Sequence, residues 1–258
     1  MRALLLKDYA EGTFIDSTMA RPLPRHGEVL VKVIASGVNP IDRKIRIGAA
    51  PHATRELPAI LGADLTGVIE QLGAGVTDFK AGDEVCGMSG GVRDLPGSLA
   101  EYVAVDASTL AHKPASLSMR EAAALPLVFL TAWEGLVDRA KVAAGQRVLL
   151  HAGAGGVGHV AVQIARARGA EVFATASAGK HAIVRGFGAT PIDYKAGTVA
   201  DYVAAHADGV GFDVVYDTVG GASLEASLAA ATCPRCPRRA GRRQRAGQAR
   251  HRYRLISR

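Results

Sequence analysis

A chain of 258 residues, 48% hydrophobic and 21% charged, can bury a sizeable core as one large domain or two smaller ones. Its net charge of +7 sits at one end: residues 232–258 hold ten arginines, no lysine and no acid, so residues 1–231 carry 21 basic against 24 acidic side chains, a net of −3. That distribution argues against a basic nucleic-acid-binding body, and the longest apolar run, Ala122 to Ala132, is too short for a bilayer and contains Pro126.

Near the start, the apolar run after Arg2 stops at Leu6, before Lys7 and Asp8, which is too short for a targeting signal. Three cysteines, Cys86, Cys233 and Cys236, make no disulfide framework, so the expected location is cytoplasmic, without a membrane partner. Val29 to Ala35 (VLVKVIA) reads as a strand with Val29, Val31 and Val33 on one face, and Pro40 closes the turn that follows. Leu61–Gly73 and Ala81–Cys86 are short apolar pieces punctuated by glycine, the pattern of a small β-rich domain.

Ser118-Met-Arg-Glu121 is a capping box that opens an alanine-rich helix toward Trp133. Gln146–His151 predicts a buried strand, Val157–Gly169 a helix and Glu171–Ala176 a second strand, together one βαβ unit. A further helix ends near Gly188, Ile192–Tyr194 is a short strand and Phe212–Asp217 a strong one, so the alternation predicts a doubly wound parallel sheet. The domain reading is 1–120, 121–231 and a tail, 232–258. The tail lacks apolar periodicity and is expected to be disordered; its abrupt onset at Thr232 is what reading a GC-rich gene out of frame produces. A Rossmann sheet runs 3-2-1-4-5-6, and only strands one to four have candidates, which leaves Phe212–Asp217 as an expected exposed edge.

Gly153-Ala-Gly155-Gly-Val-Gly158 lies between a predicted strand and a predicted helix, where glycines permit a tight turn and let a pyrophosphate approach a helix N-terminus. An NAD site carries an acid at the end of the second strand, but here Thr175, Ala176 and Ser177 stand in that region. Ser177 and Lys180 supply a hydroxyl and an ammonium suited to the extra phosphate of NADPH, which is therefore the expected cofactor. Three catalytic zinc ligands and a four-cysteine lobe are both missing from the sequence, and Cys233-Pro-Arg-Cys236 is a lone pair in an arginine-rich tail, so no metal is expected.

Five segments, GVNPID (37–42), LPAILGADLTGVI (57–69), PLVFLTAWEGL (126–136), HAGAGGVG (151–158) and YDTVGG (216–221), resemble the quinone oxidoreductase (zeta-crystallin-like) branch of the zinc-independent medium-chain dehydrogenases. The resemblance runs in order from residue 1 to about 231, so the chain reads as C-terminally truncated or frameshifted relative to that branch. It implies an α/β protein with a GroES-like β-rich N-terminal domain and a doubly wound Rossmann domain lacking its last strands. It places Asn39, the candidate catalytic residue, and Thr131 near the nicotinamide. Gly155, Gly156, Val157 and Gly158 then face the pyrophosphate, with Gly153 a further cofactor-binding glycine of the same motif; Ser177, Lys180 and Tyr194 contact the 2′-phosphate, and Val219 approaches through its backbone. Where zinc-dependent relatives have a cysteine ligand, this chain has Val38-Asn39-Pro40, and Gly62-Ala63-Asp64 lacks their His-Glu pair.

Other readings stand beside these: Asn39 as a turn residue before Pro40, Thr131 as a helix-interior threonine, and Tyr194 as a packed strand residue. The loop GAAPHATRELP after Ile47 lacks a tyrosine that some relatives carry, and its His52 reads as solvated. The implied reaction is hydride transfer from NADPH to a small quinone or enone, with no specific nucleic-acid partner. The alternatives are a reductase of enals, enones or enoyl thioesters, a nucleic-acid binder acting through the tail, and a cofactor-binding protein without turnover. The resemblance also implies a homodimer, formed along strands for which this chain has no counterpart.

Overall fold

Two units divide the chain, Met1–Leu127 and the residues from Val128 onward. A computed structural model describes residues 1–221, 223–231 and 255–257.

The first unit contains strands β1 (Arg2–Leu6), β2 (Phe14–Thr18), β3 (Glu28–Ser36), β4 (Ala59–Ile60), β5 (Asp64–Leu72), β6 (Glu84–Met88), β7 (Tyr102–Asp106) and β8 (Leu110–His112). Five of them form an antiparallel sheet in the order β7-β3-β5-β6-β8, and β2-β1-β4 form a smaller antiparallel sheet. The expected valine face is present: Val29 and Val31 pack with Leu65, Ile69, Val85 and Val103, and Val33 lies at the margin of the cluster. Helix α1 (Pro40–Arg46) starts directly after β3, with Pro40 at the first turn, where its missing N–H costs nothing. Helix α2 (Met119–Ala123) carries the predicted capping box, with Glu121 N–H donating to Ser118 Oγ at 3.3 Å and Ser118 N–H donating to Glu121 Oε2 at 2.9 Å. The expected run to Trp133 is broken, because Pro126 cannot continue α2 and instead opens α3 (Pro126–Trp133).

The second unit alternates β9 (Arg147–Leu150), α4 (Gly156–Ala167), β10 (Glu171–Ala176), α5 (His181–Gly186), β11 (Thr190–Asp193), α6 (Val199–His206), β12 (Val214–Asp217), α7 (Ser223–Ala230) and β13 (Leu255–Ser257). All neighbouring strands pair in parallel, in the order β11-β10-β9-β12-β13, which is the 3-2-1-4-5 order of a Rossmann sheet. Leu149, Phe173, Phe212 and Val215 from the sheet side pack with Tyr202 and Val203 of α6.

Two expectations are corrected here. A fifth strand exists, because Leu255–Ser257 pairs in register with Val215–Asp217, so β12 is not an exposed edge. The physical reason is that β12 is buried along its length, and an open edge there would leave a row of unpaired backbone donors and acceptors that Leu255-Ile256 can take up. The expected disorder of the rest of the tail concerns residues 232–254 and 258, which lie outside the described residues, as do Cys233 and Cys236.

Candidate functional site

The glycine turn is shaped by close approach rather than by left-handed glycines. The residue with positive φ in this turn is Ala152, at 55°, while Gly155 is extended at φ −85° and caps α4. A Cβ at Gly158 would stand 2.1 Å from the Ala152 carbonyl oxygen, and one at Gly153 would stand 2.5 Å from Ala174 Cβ. These glycines therefore let the turn, the first helical turn and β10 lie on one another. Gly155 N–H donates to Ala152 O at 2.8 Å and His159 N–H to Gly155 O at 3.0 Å. Gly156, Val157 and Gly158 occupy the first turn of a twelve-residue helix, whose backbone N–H groups and positive dipole end favour an anion.

A cavity of about 450 Å³ opens beside this turn, within the range of ligand pockets. Its lining includes Gly155, Ser177, Lys180, Tyr194 and Val219, so the structure brings five of the expected residues together. Ser177 follows β10 and Lys180 ends the short 3₁₀ turn Ala178–Lys180, with no carboxylate at the end of that strand. Tyr194 follows β11 and is exposed, which removes the packed-strand reading of it. Val219 has its N–H bound to Asp217 Oδ1 at 2.7 Å, so its carbonyl is the backbone group left for a ligand. Asp217 also accepts from Gly220 N–H at 3.0 Å and from Ser227 Oγ at 2.7 Å, which holds this loop to β12 and α7. Gly153, Gly156, Val157 and Gly158 belong to the same turn and helix start. Thr131 is buried in α3, where its carbonyl accepts the Tyr216 hydroxyl at 2.9 Å.

Asn39 lies in the first unit and is 6% exposed. It precedes α1, with its N–H donating to Asp42 Oδ2 at 2.7 Å, so the turn reading describes its backbone correctly. Its side chain does something else: Nδ2 donates at 2.8 Å to Asp64 Oδ2, and Asp64 Oδ1 accepts from Leu127 N–H at 3.0 Å. Asp64 is 1% exposed, and burial pushes its carboxyl up to about 6 against the pull of Asn39 and Leu127, with Asp42 adding repulsion. A Cβ at Gly37 would lie 2.4 Å from Ala123 O and 2.9 Å from Asp64 Cβ, so glycine is what allows the strand end to pass over this pair. His52 is exposed in a short 3₁₀ turn and shares none of these contacts.

Sequence reasoning missed Asp64, Gly37, His151 and Thr175 as parts of these sites. A signal existed for His151, which directly precedes the glycine turn, but Asp64 is tied to Asn39 only by tertiary structure. Among the described residues, no three His, Cys, Asp or Glu side chains gather as a metal site would require, and no helix is long and apolar enough to cross a membrane.

Residues 25–115 match the alcohol dehydrogenase GroES-like domain and residues 156–233 the zinc-binding dehydrogenase family. An alcohol dehydrogenase superfamily protein of Novosphingobium aromaticivorans is 55% identical, with a TM-score of 0.88 over 90% of this chain and 70% of its own. The quinone oxidoreductase of Coxiella burnetii is 35% identical, with a TM-score of 0.77 over 90% of this chain and 73% of its own. The chain belongs to the quinone oxidoreductase branch of the alcohol dehydrogenase superfamily. Its sequence is also 39% identical over 229 residues to the chloroplastic NADPH-dependent alkenal/one oxidoreductase of Arabidopsis thaliana. That match takes in 85% of this quinone oxidoreductase-branch chain and 58% of the plant protein, so the chain spans well under two thirds of that relative's length.

Proposed function

We infer that this chain is an NADPH-dependent oxidoreductase that delivers hydride to a quinone or another electron-poor carbonyl or alkene, without zinc. One observation carries the reading: the strand that would end in an acid in an NAD site ends in Thr175-Ala176 and is followed by Ser177, and Ser177, Lys180 and Tyr194 line one cavity with the cap of α4. The Arabidopsis relative is named for the same cofactor and for alkenals and alkenones.

In this reading Ser177, Lys180 and Tyr194 hold the 2′-phosphate, where a hydroxyl and an ammonium attract the charge that a carboxylate would repel. Gly153, Gly155, Gly156, Val157 and Gly158 offer the pyrophosphate a close backbone surface and the helix N-terminus. The Val219 carbonyl and Thr131 orient the cofactor, and Asn39 orients the reacting groups through its amide oxygen, because its Nδ2 is already given to Asp64. When bound, NADPH supplies a hydride from the nicotinamide ring, and the matching proton comes from water. The protein's contribution is proximity and orientation.

Fluorescence titration with NADPH and NADH in parallel, followed by NADPH oxidation with a panel of quinones, enals and enones, tests the proposal. Tighter NADPH binding and turnover with quinone are expected. Turnover confined to enals, enones or enoyl thioesters favours the alkene reductase reading, which the name of the plant relative supports. Binding without oxidation of any acceptor favours a cofactor-binding protein.

A further inference from the structure

His151 follows β9 where the chain enters the glycine turn, and it is 7% exposed. Its Nδ1 lies 3.3 Å from Thr175 Oγ1, and Nε2 is buried without a hydrogen-bond partner. Thr175 Oγ1 also accepts the Ala152 N–H at 3.1 Å. A threonine hydroxyl has one proton to give and two lone pairs to receive with. With Ala152 on one lone pair, the second lone pair could receive an Nδ1–H, but the hydroxyl proton would then have no acceptor among its described contacts; giving that proton to Nδ1 makes Nδ1 the acceptor and puts the ring proton on Nε2. Burial holds the imidazole pKa below its ordinary value, with Asp217 opposing, as suits a neutral ring.

The far end of this chain of contacts is the phosphate turn. Ala152 sits at φ 55°, a conformation that a residue with a Cβ adopts only when its surroundings hold it there. Its N–H is held by Thr175 and its carbonyl accepts the N–H of Gly155, the cap of α4. The succession is His151 Nδ1, Thr175 hydroxyl, Ala152 amide, Gly155 and the open end of the helix.

We propose that His151 is a positioning residue of the dinucleotide turn: through the Thr175 hydroxyl it holds Ala152 in its left-handed conformation and so fixes the N-terminal turn of α4 that receives the phosphates. The proposal rests on the dinucleotide reading of this cavity and adds to it a pair of its own lining residues, His151 and Thr175, that set the turn.

Asparagine and glutamine separate the two ring nitrogens. The Oδ1 of an asparagine stands where Nδ1 does and accepts like it, whereas a glutamine amide reaches the position of Nε2. His151→Phe is expected to weaken NADPH binding about tenfold, the order of one lost buried hydrogen bond. His151→Asn restores binding to within about threefold of wild type, and His151→Gln does not. Thr175→Val shows the loss of His151→Phe, Thr175→Ser restores it, and the double variant His151→Phe/Thr175→Val is no worse than either single one, as two members of one relay require.

Long-range ¹H–¹⁵N spectra of the wild type should show His151 with an unprotonated Nδ1 and a protonated Nε2. Rescue by glutamine and not asparagine, additive losses in the double variant, or a protonated Nδ1 would each overturn the proposal. Wild-type binding of NADPH with unchanged binding by His151→Phe overturns it alone. A wild type that binds neither NADPH nor NADH overturns the cofactor reading, and this proposal with it.

Discussion

Asn39 and Asp64, 25 positions apart, are joined by an amide-to-carboxylate hydrogen bond of 2.8 Å inside the first unit. A carboxylate only accepts, so this bond decides which end of the Asn39 amide is spent and which remains: the NH₂ faces Asp64 and the oxygen is left over. Asp64 uses its second oxygen for the Leu127 N–H. Asp64→Asn offers one acceptor where two donors wait. The arrangement that leaves no two donors facing keeps the new amide oxygen on Leu127 and turns Asn39 around to present its NH₂. The expected result is a 10- to 100-fold lower kcat/KM for acceptor reduction, of the order that misplacement of an orienting group produces, with NADPH affinity nearly unchanged. Equal kcat/KM in the variant and the wild type would remove Asn39 orientation from the mechanism.

The same carboxyl sets a pH dependence of stability. Its pKa rises from 3.8 to about 6 on folding, chiefly because burial opposes its charge. Between these values the folded protein binds the proton more tightly than the unfolded chain, so stability falls as pH rises. The stabilising contribution of the protonated carboxyl is complete below pH 3.8 and gone above about 6, a change of about 3 kcal/mol at neutral pH. Urea denaturation from pH 4 to pH 7 should show this decline in the wild type and a flatter profile in Asp64→Asn. Parallel profiles would assign the decline to other groups.

Two glycines of the turn should behave oppositely. A Cβ at Gly158 meets the Ala152 carbonyl oxygen at 2.1 Å and Gly153 Cα at 2.9 Å, both backbone atoms that no side-chain rotation can move. Gly158→Ala is expected to cost about 1–3 kcal/mol, as overpacking does, and to abolish dinucleotide binding. At Gly156 a Cβ meets only Val128 Cγ1 at 3.5 Å, an ordinary contact. Gly156→Ala should therefore fold as well as the wild type or better, since alanine is favoured over glycine in a helix by about 1 kcal/mol. Thermal unfolding of both variants, followed by NADPH titration, checks the pair.

What the sequence disclosed and what it hid divide along the range of the interactions. The Ser118–Glu121 capping box, the strand at Val29 and the glycine turn are local patterns, and each is found where it was expected, because spacing along the chain is what creates them. The alanine-rich pattern after Ser118 suggests a longer helix than the chain forms, because alanine content does not outweigh Pro126. Helix α6 has a faint signature in the sequence, because eight residues give a weak apolar period, although Thr198 and Asp201 form a capping box at its start. Asp64 beneath Asn39, and Thr175 between His151 and Ala152, are contacts across strands, which no local periodicity encodes. Strand β13 was hidden for another reason: three residues in an arginine-rich segment have no pattern of their own, and the partner edge of β12 supplies the hydrogen bonds that make them a strand.

Cofactor choice can be reversed at the end of β10. Lys180 is exposed, so its attraction for a 2′-phosphate is screened by water and salt, and it is the weaker of two levers. Lys180→Ala should weaken NADPH binding about three- to tenfold, leave NADH nearly unaffected, and lose most of its effect as salt is raised to 0.5 M. Ser177 is only partly exposed and directly follows the strand, where an NAD site carries its acid. Ser177→Asp places a carboxylate where it can accept from ribose hydroxyls and repel a phosphate, so NADPH affinity should fall and NADH affinity rise, reversing the preference. Parallel fluorescence titrations of the two cofactors at low and high salt read both effects. An unchanged NADPH-to-NADH ratio in Ser177→Asp would mean that the 2′ position lies elsewhere, and that Lys180 is an ordinary solvated charge.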